Sequence, residues 1–190
     1  MYHIYHTEGI ILASVGTGEA DRFLRILTPD FGLIGVVARG SRLTRSKMKY
    51  HLSEYRHVAI DIVRGKNAWT LTGVQPLGEK VGDMNDVLYT AGFARFIRRL
   101  VQGEEQNAEL FHIVQTFLKE LPTLQGKEEK ERWYLAGCMA VLDTLGYASA
   151  HTALAVRKEG VFSRAHVAYV AQHTDVVRSA IDEALAESHL

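Results

Sequence analysis

GLIGVVARGSRLTRSKMK, residues 32–49, joins an apolar strand to a loop that holds five basic residues and no acidic one. Residues 33–38 are branched and apolar, which is typical of a strand in a barrel or sandwich, and Gly40 ends that strand. The basic residues then recur every two or three positions, so neither a strand nor a helix would place all of them on one face. A mobile loop could wrap them around a phosphate backbone. These residues are Arg39, Arg42, Arg45, Lys47 and Lys49.

Small hydroxyl side chains fill the gaps between these cations. Ser41, Thr44 and Ser46 supply hydrogen-bond donors of the kind that accompany Arg and Lys at phosphates. The pattern fits a phosphate-binding loop and, equally well, a solvated loop on the surface of a soluble protein. Both interpretations stay open on these residues alone.

The composition describes an ordinary soluble globular protein of one or two domains. Of the 190 residues, 47% are hydrophobic and 23% are charged, which is enough apolar material for a core and excludes a disordered chain. The net charge is zero but unevenly divided. Residues 1–80 hold 11 Lys and Arg against 7 Asp and Glu, whereas residues 81–190 hold 11 against 15. The two parts of the chain therefore differ in kind.

A single cysteine, Cys138, excludes an intramolecular disulfide and a CxxC metal site. The sequence shows neither a charged and then apolar leader nor a run of 18 apolar residues. We therefore expect a cytoplasmic protein with no membrane association.

Residues 1–76 show the alternation and the turn residues of a β-rich domain. Glycine in 16–20, and Pro29 with Gly32, predict two tight turns, the second of which joins strands two and three as a hairpin. Five short antiparallel strands fit a partly open OB barrel better than an immunoglobulin-type sandwich of about seven strands, and a small SH3-like barrel is the other alternative. The predicted strands cover residues 3–15, 23–27, 33–38, 51–63 and 69–74.

From Asp83 onward the apolar residues recur at helical spacing. Asp83 can cap a first helix that ends at Gly103. Further helices are predicted at 107–121 and 128–145, and one or two more follow Ser163. Residues 133–142 are apolar almost all round, so we expect them to be buried. The first helix should bury Val87, Leu88, Ala91, Ala94, Ile97, Leu100 and Val101, and the last Val176, Val177, Ala180, Ile181, Ala184 and Leu185.

The sequence thus predicts an α+β chain, with a five-stranded OB-fold barrel over residues 1–80 and an all-helical domain over 81–190. No catalytic or cofactor site is expected. Gly16-Thr17-Gly18 is better explained as a hairpin turn than as a dinucleotide fingerprint, because Asp21 replaces its third glycine. The nine His are scattered without metal-ligand spacing, and Cys138 lies in an apolar helix as a structural thiol.

Beyond these patterns, the chain resembles the N-terminal domain of the DNA repair protein family RecO. The order and spacing of EGIIL at 8–12, GEADR at 18–22 and ARGSR at 38–42 both match. The first 72 residues carry the specific part, and a fainter likeness continues to LDTLGY at 142–147. Other matching positions are Thr28, Gly32, Ser46, Lys47, Leu52, Tyr55, WTLT at 69–72, Phe96 and ELF at 109–111.

The resemblance implies an OB domain followed by a helical domain, and a recombination mediator rather than an enzyme. RecO-like proteins bind single- and double-stranded DNA, anneal complementary strands, and work with RecR and single-stranded-DNA-binding protein to load RecA. Many members hold zinc with four cysteines after the equivalent of residue 147, but residues 148–162 contain no cysteine here. A zinc site is therefore not carried over, we expect these residues to form a looser loop, and elemental analysis should find no stoichiometric zinc.

Within this resemblance, the loop cations Arg39, Arg42, Arg45, Lys47 and Lys49 become the first candidates for DNA phosphates. Other OB-fold functions stay open, namely an RNA-binding module or a protein-interaction scaffold whose loop is only solvated surface. Glu19 and Asp21 are expected to form the turn or to pair with neighbouring arginines. A second group of phosphate candidates comprises Arg22, Arg25, Arg56, Arg64 and Lys66. Candidates for base stacking are Tyr50, Tyr55 and Trp69, although an aromatic residue in a small barrel is more often part of the core.

Overall fold

Five strands close into a barrel in the N-terminal part of the computed structural model. The structure describes residues 3–78, 82–101, 103–147 and 162–187. The strand order around the barrel is β1-β2-β3-β5-β4, and all neighbours are antiparallel except β3 and β5, which run parallel. The predicted OB-type barrel is confirmed, and it is fully closed. The strands are β1 Ile4–Thr17, β2 Asp21–Thr28, β3 Gly32–Ala38, β4 His57–Arg64 and β5 Trp69–Pro76.

Strand β1 is long enough to serve two neighbours, and this closes the barrel. Its residues 4–10 pair with β4, while residues 10–17 pair with β2. The register shifts between Ile11 and Ala13, as expected for a bulge that bends a strand. The inward faces of all five strands meet in one apolar core. This core contains Ile11, Leu24, Ile26, Ile34, Val36, Ala38, Leu52, Val58, Ile60, Ile62, Trp69 and Leu71.

The predicted start of strand four was wrong. The strand begins at His57 rather than at residue 51, because Tyr55 has a φ of 64°, which lies outside the strand region. Residues 48–50 instead form a short 3-10 helix, and Leu52 enters the barrel core from the connection that follows it. The apolar residue that imitated strand alternation is thus a loop residue that packs inward.

Five α-helices follow among the described residues, together with a 3-10 turn over Leu121–Thr123. Asp83 caps the first helix as predicted, and Ser163, after which further helices were expected, caps the fourth. In the third helix, Trp133 and residues 135–142 are buried, which confirms the predicted centre of the helical part. Residues 148–161, for which a looser loop was predicted, lie outside the described residues. The helices are α1 Met84–Leu100, α2 Ala108–Glu120, α3 Gly126–Thr144, α4 Arg164–Gln172 and α5 Thr174–Glu187.

The predicted inward face of α1 was partly wrong. Leu88 is 65% exposed, whereas Thr90 and Phe93 are buried. Asp86 is also buried on this face. Its carboxylate accepts a hydrogen bond from the backbone N–H of Asp83 and binds the Lys130 ammonium of α3 at 2.6 Å. Thr90, Phe93 and Ile97 follow Asp86 at helical spacing and lie with it on the buried face of α1. In α5 likewise, Val177 and Ile181 are buried, while Val176 is exposed.

Contacts group the chain into two units. The barrel unit comprises residues 1–81 and 102–111, and the helical unit comprises residues 82–101 and 112–190. The connection between α1 and α2 therefore groups with the barrel, although the predicted division at residue 80 assigned it to the helical domain. Among the described residues, no helix combines the length and apolarity needed to cross a membrane.

The Asp86–Lys130 ion pair should dominate the polar contribution to the stability of the helical unit. Both side chains are largely buried, so Lys130→Met would leave a buried carboxylate without its cation. We expect a loss of about 3–5 kcal/mol in the free energy of unfolding, measured by denaturant titration with circular dichroism.

Arg132→Met is the matched control, because Arg132 lies on the same helix and pairs with Glu128 at the surface. This change should alter the free energy of unfolding by about 1 kcal/mol or less. Equal effects of the two substitutions would contradict the importance of the buried pair.

Candidate nucleic-acid interface

The basic segment, defined as residues 39–49, is a series of hydrogen-bonded turns. The Arg42 N–H donates to the Ala20 carbonyl at 2.8 Å, the Leu43 N–H to Gly40, and the Ser46 N–H to Leu43 at 2.9 Å. A loop able to wrap phosphates was expected here, and in the structure its backbone is hydrogen-bonded to itself and to the β1–β2 turn. The cations project from a defined surface.

Asp21 fixes the start of the basic segment. Its carboxylate accepts the Gly40 N–H at 2.7 Å, and Gly40 adopts a φ of 62°, a conformation that favours glycine. The Arg42 guanidinium also donates to the Gly18 carbonyl at 2.8 Å. Asp21 was expected to form the turn or to pair with an arginine, and its carboxylate instead accepts a hydrogen bond from the backbone of Gly40.

The cationic side chains of the segment face solvent. Arg39, Arg42, Arg45 and Lys47 are exposed, while Lys49 is half-buried. The Lys49 ammonium donates to the Thr44 carbonyl at 3.2 Å and lies 4.9 Å from the centre of the Tyr50 ring. Tyr50 itself is 66% exposed. The surface thus combines backbone-fixed cations with one accessible aromatic ring.

Two of the second-group arginines support the ends of this surface. Arg22 donates to the Ser14 hydroxyl and, at 3.3 Å, to the Leu52 carbonyl. Arg56 donates to the Tyr50 carbonyl at 3.0 Å. Arg25 lies in the middle of β2, where it pairs in register with Gly35. Arg22 and Arg56 therefore lie near the basic segment, and each donates to a backbone carbonyl of the chain that follows β3.

Arg64 and Lys66 lie at the β4–β5 turn. Arg64 pairs in register with Trp69, and Trp69 pairs with Val36 near the end of β3, so this turn is separated by β5 from the strand that leads into the basic segment. The sequence alone ranked them with the other second-group arginines, because strand pairing is not visible in it.

The structure changes the ranking of the aromatic candidates. Trp69 is only 4% exposed and packs against the rings of Tyr5 and Phe31, so its predicted stacking role is not supported. Tyr55 is half-buried. Tyr50 is the accessible ring of the three. The sequence signal for its exposure was its position next to Lys49, among the polar residues of the connection between β3 and β4.

Two of the acidic side chains near the basic segment accept hydrogen bonds from backbone N–H groups. Asp21 accepts from Gly40, and Glu54 accepts the Ser14 N–H at 2.8 Å, while Glu19 is exposed at the tip of the β1–β2 turn. Neither the contact of Asp21 with Gly40 nor that of Glu54 with Ser14 was found from the sequence, because a hydrogen bond between distant residues leaves no local pattern.

Two titratable groups of the helical unit are buried. Burial raises the pKa of the Cys138 thiol, so this thiol stays protonated at neutral pH. Burial also lowers the pKa of His166 to about 4, which keeps its ring neutral. Across the described residues, no three or more His, Cys, Asp and Glu side chains group together as metal ligands.

The fold and the site define a class of protein: a closed OB-type barrel with a cationic surface, followed by a helical region. Residues 1–79 match the model of the family described as "Recombination protein O N terminal". Residues 1–79 therefore form an N-terminal domain of the RecO family, as the resemblance indicated.

Several relatives named DNA repair protein RecO are similar to this chain. The protein of Roseiflexus sp. is 33% identical over 147 residues, which cover 76% of this chain and 50% of that protein. The protein of Dehalococcoides mccartyi is 32% identical over 123 residues, covering 63% and 48%. The protein of Rubrobacter xylanophilus is 39% identical over 74 residues, covering 39% and 30%. The chain spans about half the length of the first two relatives.

Removing the Asp21 carboxylate should release the start of the basic segment. We expect Asp21→Ala to lower the free energy of unfolding by about 1–3 kcal/mol, because it leaves the Gly40 N–H without its charged acceptor. Glu19→Ala removes the same charge from an exposed turn position and should change stability by about 0.5 kcal/mol or less. Thermal and denaturant unfolding measure both, and equal stability of the two variants would contradict the anchoring role of Asp21.

Proposed function

We propose that this chain binds DNA through the basic segment and acts in DNA repair as a RecO-type recombination mediator. The observation that carries the proposal is the anchored backbone of residues 39–49, from which four exposed cations project within a domain of the RecO family. OB barrels bind nucleic acid across a sheet face and its adjoining loops, and the basic segment is hydrogen-bonded to one such loop, the β1–β2 turn, through Ala20 and Gly18.

The proposed binding is electrostatic and sequence-independent. Arg39, Arg45 and Lys47 neutralise backbone phosphates and release the counterions condensed on them. Because hydrogen bonds to the β1–β2 turn already order the segment, little backbone entropy is lost when DNA binds. Tyr50 offers its face to an unstacked base, and stacking of this kind tolerates any sequence.

The mediator activities belong to the same proposal. Cations that screen two polyanions let complementary strands approach and anneal without any chemical step, so no catalytic residue is invoked. We further propose the partners that the family implies, namely RecR and single-stranded-DNA-binding protein, with RecA loading as the outcome. The similarity to proteins named DNA repair protein RecO supports this assignment.

Two other functions would use the same barrel differently. An RNA-binding module would share the cationic surface and would prefer RNA when matched DNA and RNA oligonucleotides compete for the protein. A protein-interaction scaffold would show no salt-dependent affinity for either nucleic acid, because phosphate neutralisation is what produces that dependence. The competition and the salt titration therefore distinguish all three.

Replacing Arg39, Arg45 and Lys47 by Ala should weaken binding to all DNA sequences alike. Arg42 is kept, because its contact with Gly18 supports the fold. For single strands, the slope of log affinity against log salt should become shallower by about 2, since each phosphate contact contributes about 0.7. Fluorescence anisotropy with labelled DNA at several salt concentrations measures this slope.

A control variant removes equal charge from the helical unit by changing Lys119, Lys127 and Arg164, all exposed, to Ala. Its salt slope should match that of the unmodified protein. The proposed interface would be refuted by a basic-segment variant that keeps full affinity and slope.

Tyr50 should contribute through stacking and not through charge. We expect Tyr50→Ala to weaken single-strand binding by about 1–3 kcal/mol and to leave the salt slope nearly intact. Tyr50→Phe keeps the ring and should bind like the unmodified protein. A similar loss of affinity in both variants would show that the hydroxyl, and not the ring face, makes the contact.

A further inference from the structure

A carboxylate binds the cationic side chain at the end of β4. Glu104, in the connection between α1 and α2, accepts hydrogen bonds from the Arg64 guanidinium and from the Trp69 indole N–H, the latter at 3.2 Å. The Arg64 guanidinium carbon in turn lies 4.7 Å from the centre of the Trp69 ring. The Glu104 carboxylate is therefore bound by a charged donor, the Arg64 guanidinium, and by a neutral donor, the Trp69 N–H, and the guanidinium also packs on the Trp69 ring.

The same donors suit a phosphate group. A guanidinium binds phosphate and carboxylate oxygens with similar geometry, and a neutral N–H completes the contact. Lys66 is exposed two residues after Arg64, in the β4–β5 turn. Residues 62–78 contain no acidic residue, and the carboxylate that pairs with Arg64 belongs to Glu104, from another part of the chain.

The Glu104 side chain can rotate away from Arg64 and Trp69 while its backbone stays in position. Its side chain is 36% exposed and that of Arg64 is 56% exposed, so water and salt reach the pair and weaken it. The backbone of the next residue, Glu105, is held by a separate contact with Gly32. Gly32 adopts a φ of 64°, and a Cβ at this position would collide with the carbonyl oxygen of Glu105. Rotation of one side chain is thus enough to expose the Arg64 and Trp69 donors.

We propose that Arg64, Trp69 and Lys66 form a second phosphate-binding site for nucleic acid, and that Glu104 masks it by occupying the phosphate position. This inference rests on the proposed function, because it takes a nucleic-acid backbone as the ligand. The masked site lies where β4 passes into β5, one strand away from the end of β3 that leads into the basic segment, because Arg64 pairs with Trp69 and Trp69 pairs with Val36. A barrel with two such sites can hold two strands, and Glu104 reserves the second site for a polyanion that competes with it.

The test measures binding of a labelled oligothymidylate by fluorescence anisotropy at several salt concentrations. Glu104→Ala should raise the affinity by about tenfold, which is the combined worth of an exposed ion pair and one hydrogen bond. The salt slope should become steeper by about 0.7, as one phosphate contact is gained. Glu105→Ala is the matched control, because it removes the same charge one residue away and should change neither value.

Arg64→Ala decides whether the gain arises at the proposed site. Alone it should leave the affinity almost unchanged, because Glu104 already occupies Arg64. Combined with Glu104→Ala it should abolish the gain. Glu104→Asp keeps the charge but is too short by one methylene to reach both donors, so it should give part of the gain and serves if the alanine variant unfolds.

Equal affinities of the Glu104 and Glu105 variants, or a gain that survives Arg64→Ala, would overturn the masked site and leave Glu104 as a structural contact. The primary interface is judged separately, from the variant of Arg39, Arg45 and Lys47 with Glu104 intact. Failure of the second site therefore does not imply failure of the first.

Discussion

The hydrogen bond from the Gly40 N–H to the Asp21 carboxylate is the contact on which the proposed interface depends. At 2.7 Å it joins the end of the first hairpin to the start of the basic segment. Five like charges within eleven residues repel one another, and a free loop would spread them apart. The anchor, supported by Arg42 on the Gly18 carbonyl, holds them instead on one surface beside the barrel.

Most of the fold follows from local sequence patterns. Branched residues alternating with polar ones and separated by Gly and Pro turns are sufficient to predict five strands, and the caps at Asp83 and Ser163 mark helix starts correctly. The misses arise where a distant contact overrides the local pattern. Leu52 lies in a loop but packs into the barrel core. In α1, the buried face includes Asp86, which binds Lys130 of another helix.

The candidate site was predictable in its charge but not in its geometry. A run of cations between small polar residues identifies residues 39–49 directly. Which cations share a surface depends on strand pairing, which places β5 between the strand of Arg64 and the strand that leads to Arg39. Which aromatic is accessible depends on the core, where Trp69 fills the barrel and leaves Tyr50 outside. These properties arise from contacts between residues far apart in the chain, and no local pattern encodes them.

The most direct test compares the DNA affinity of Asp21→Ala with that of Glu19→Ala at equal salt. Both substitutions remove one negative charge beside the basic segment, so simple electrostatics predicts tighter binding for each. If the carboxylate of Asp21 holds the cations in place, Asp21→Ala should bind DNA more weakly than the unmodified protein, while Glu19→Ala should bind equally or more tightly. Asp21→Ala binding as tightly as Glu19→Ala would contradict an anchored phosphate-binding surface.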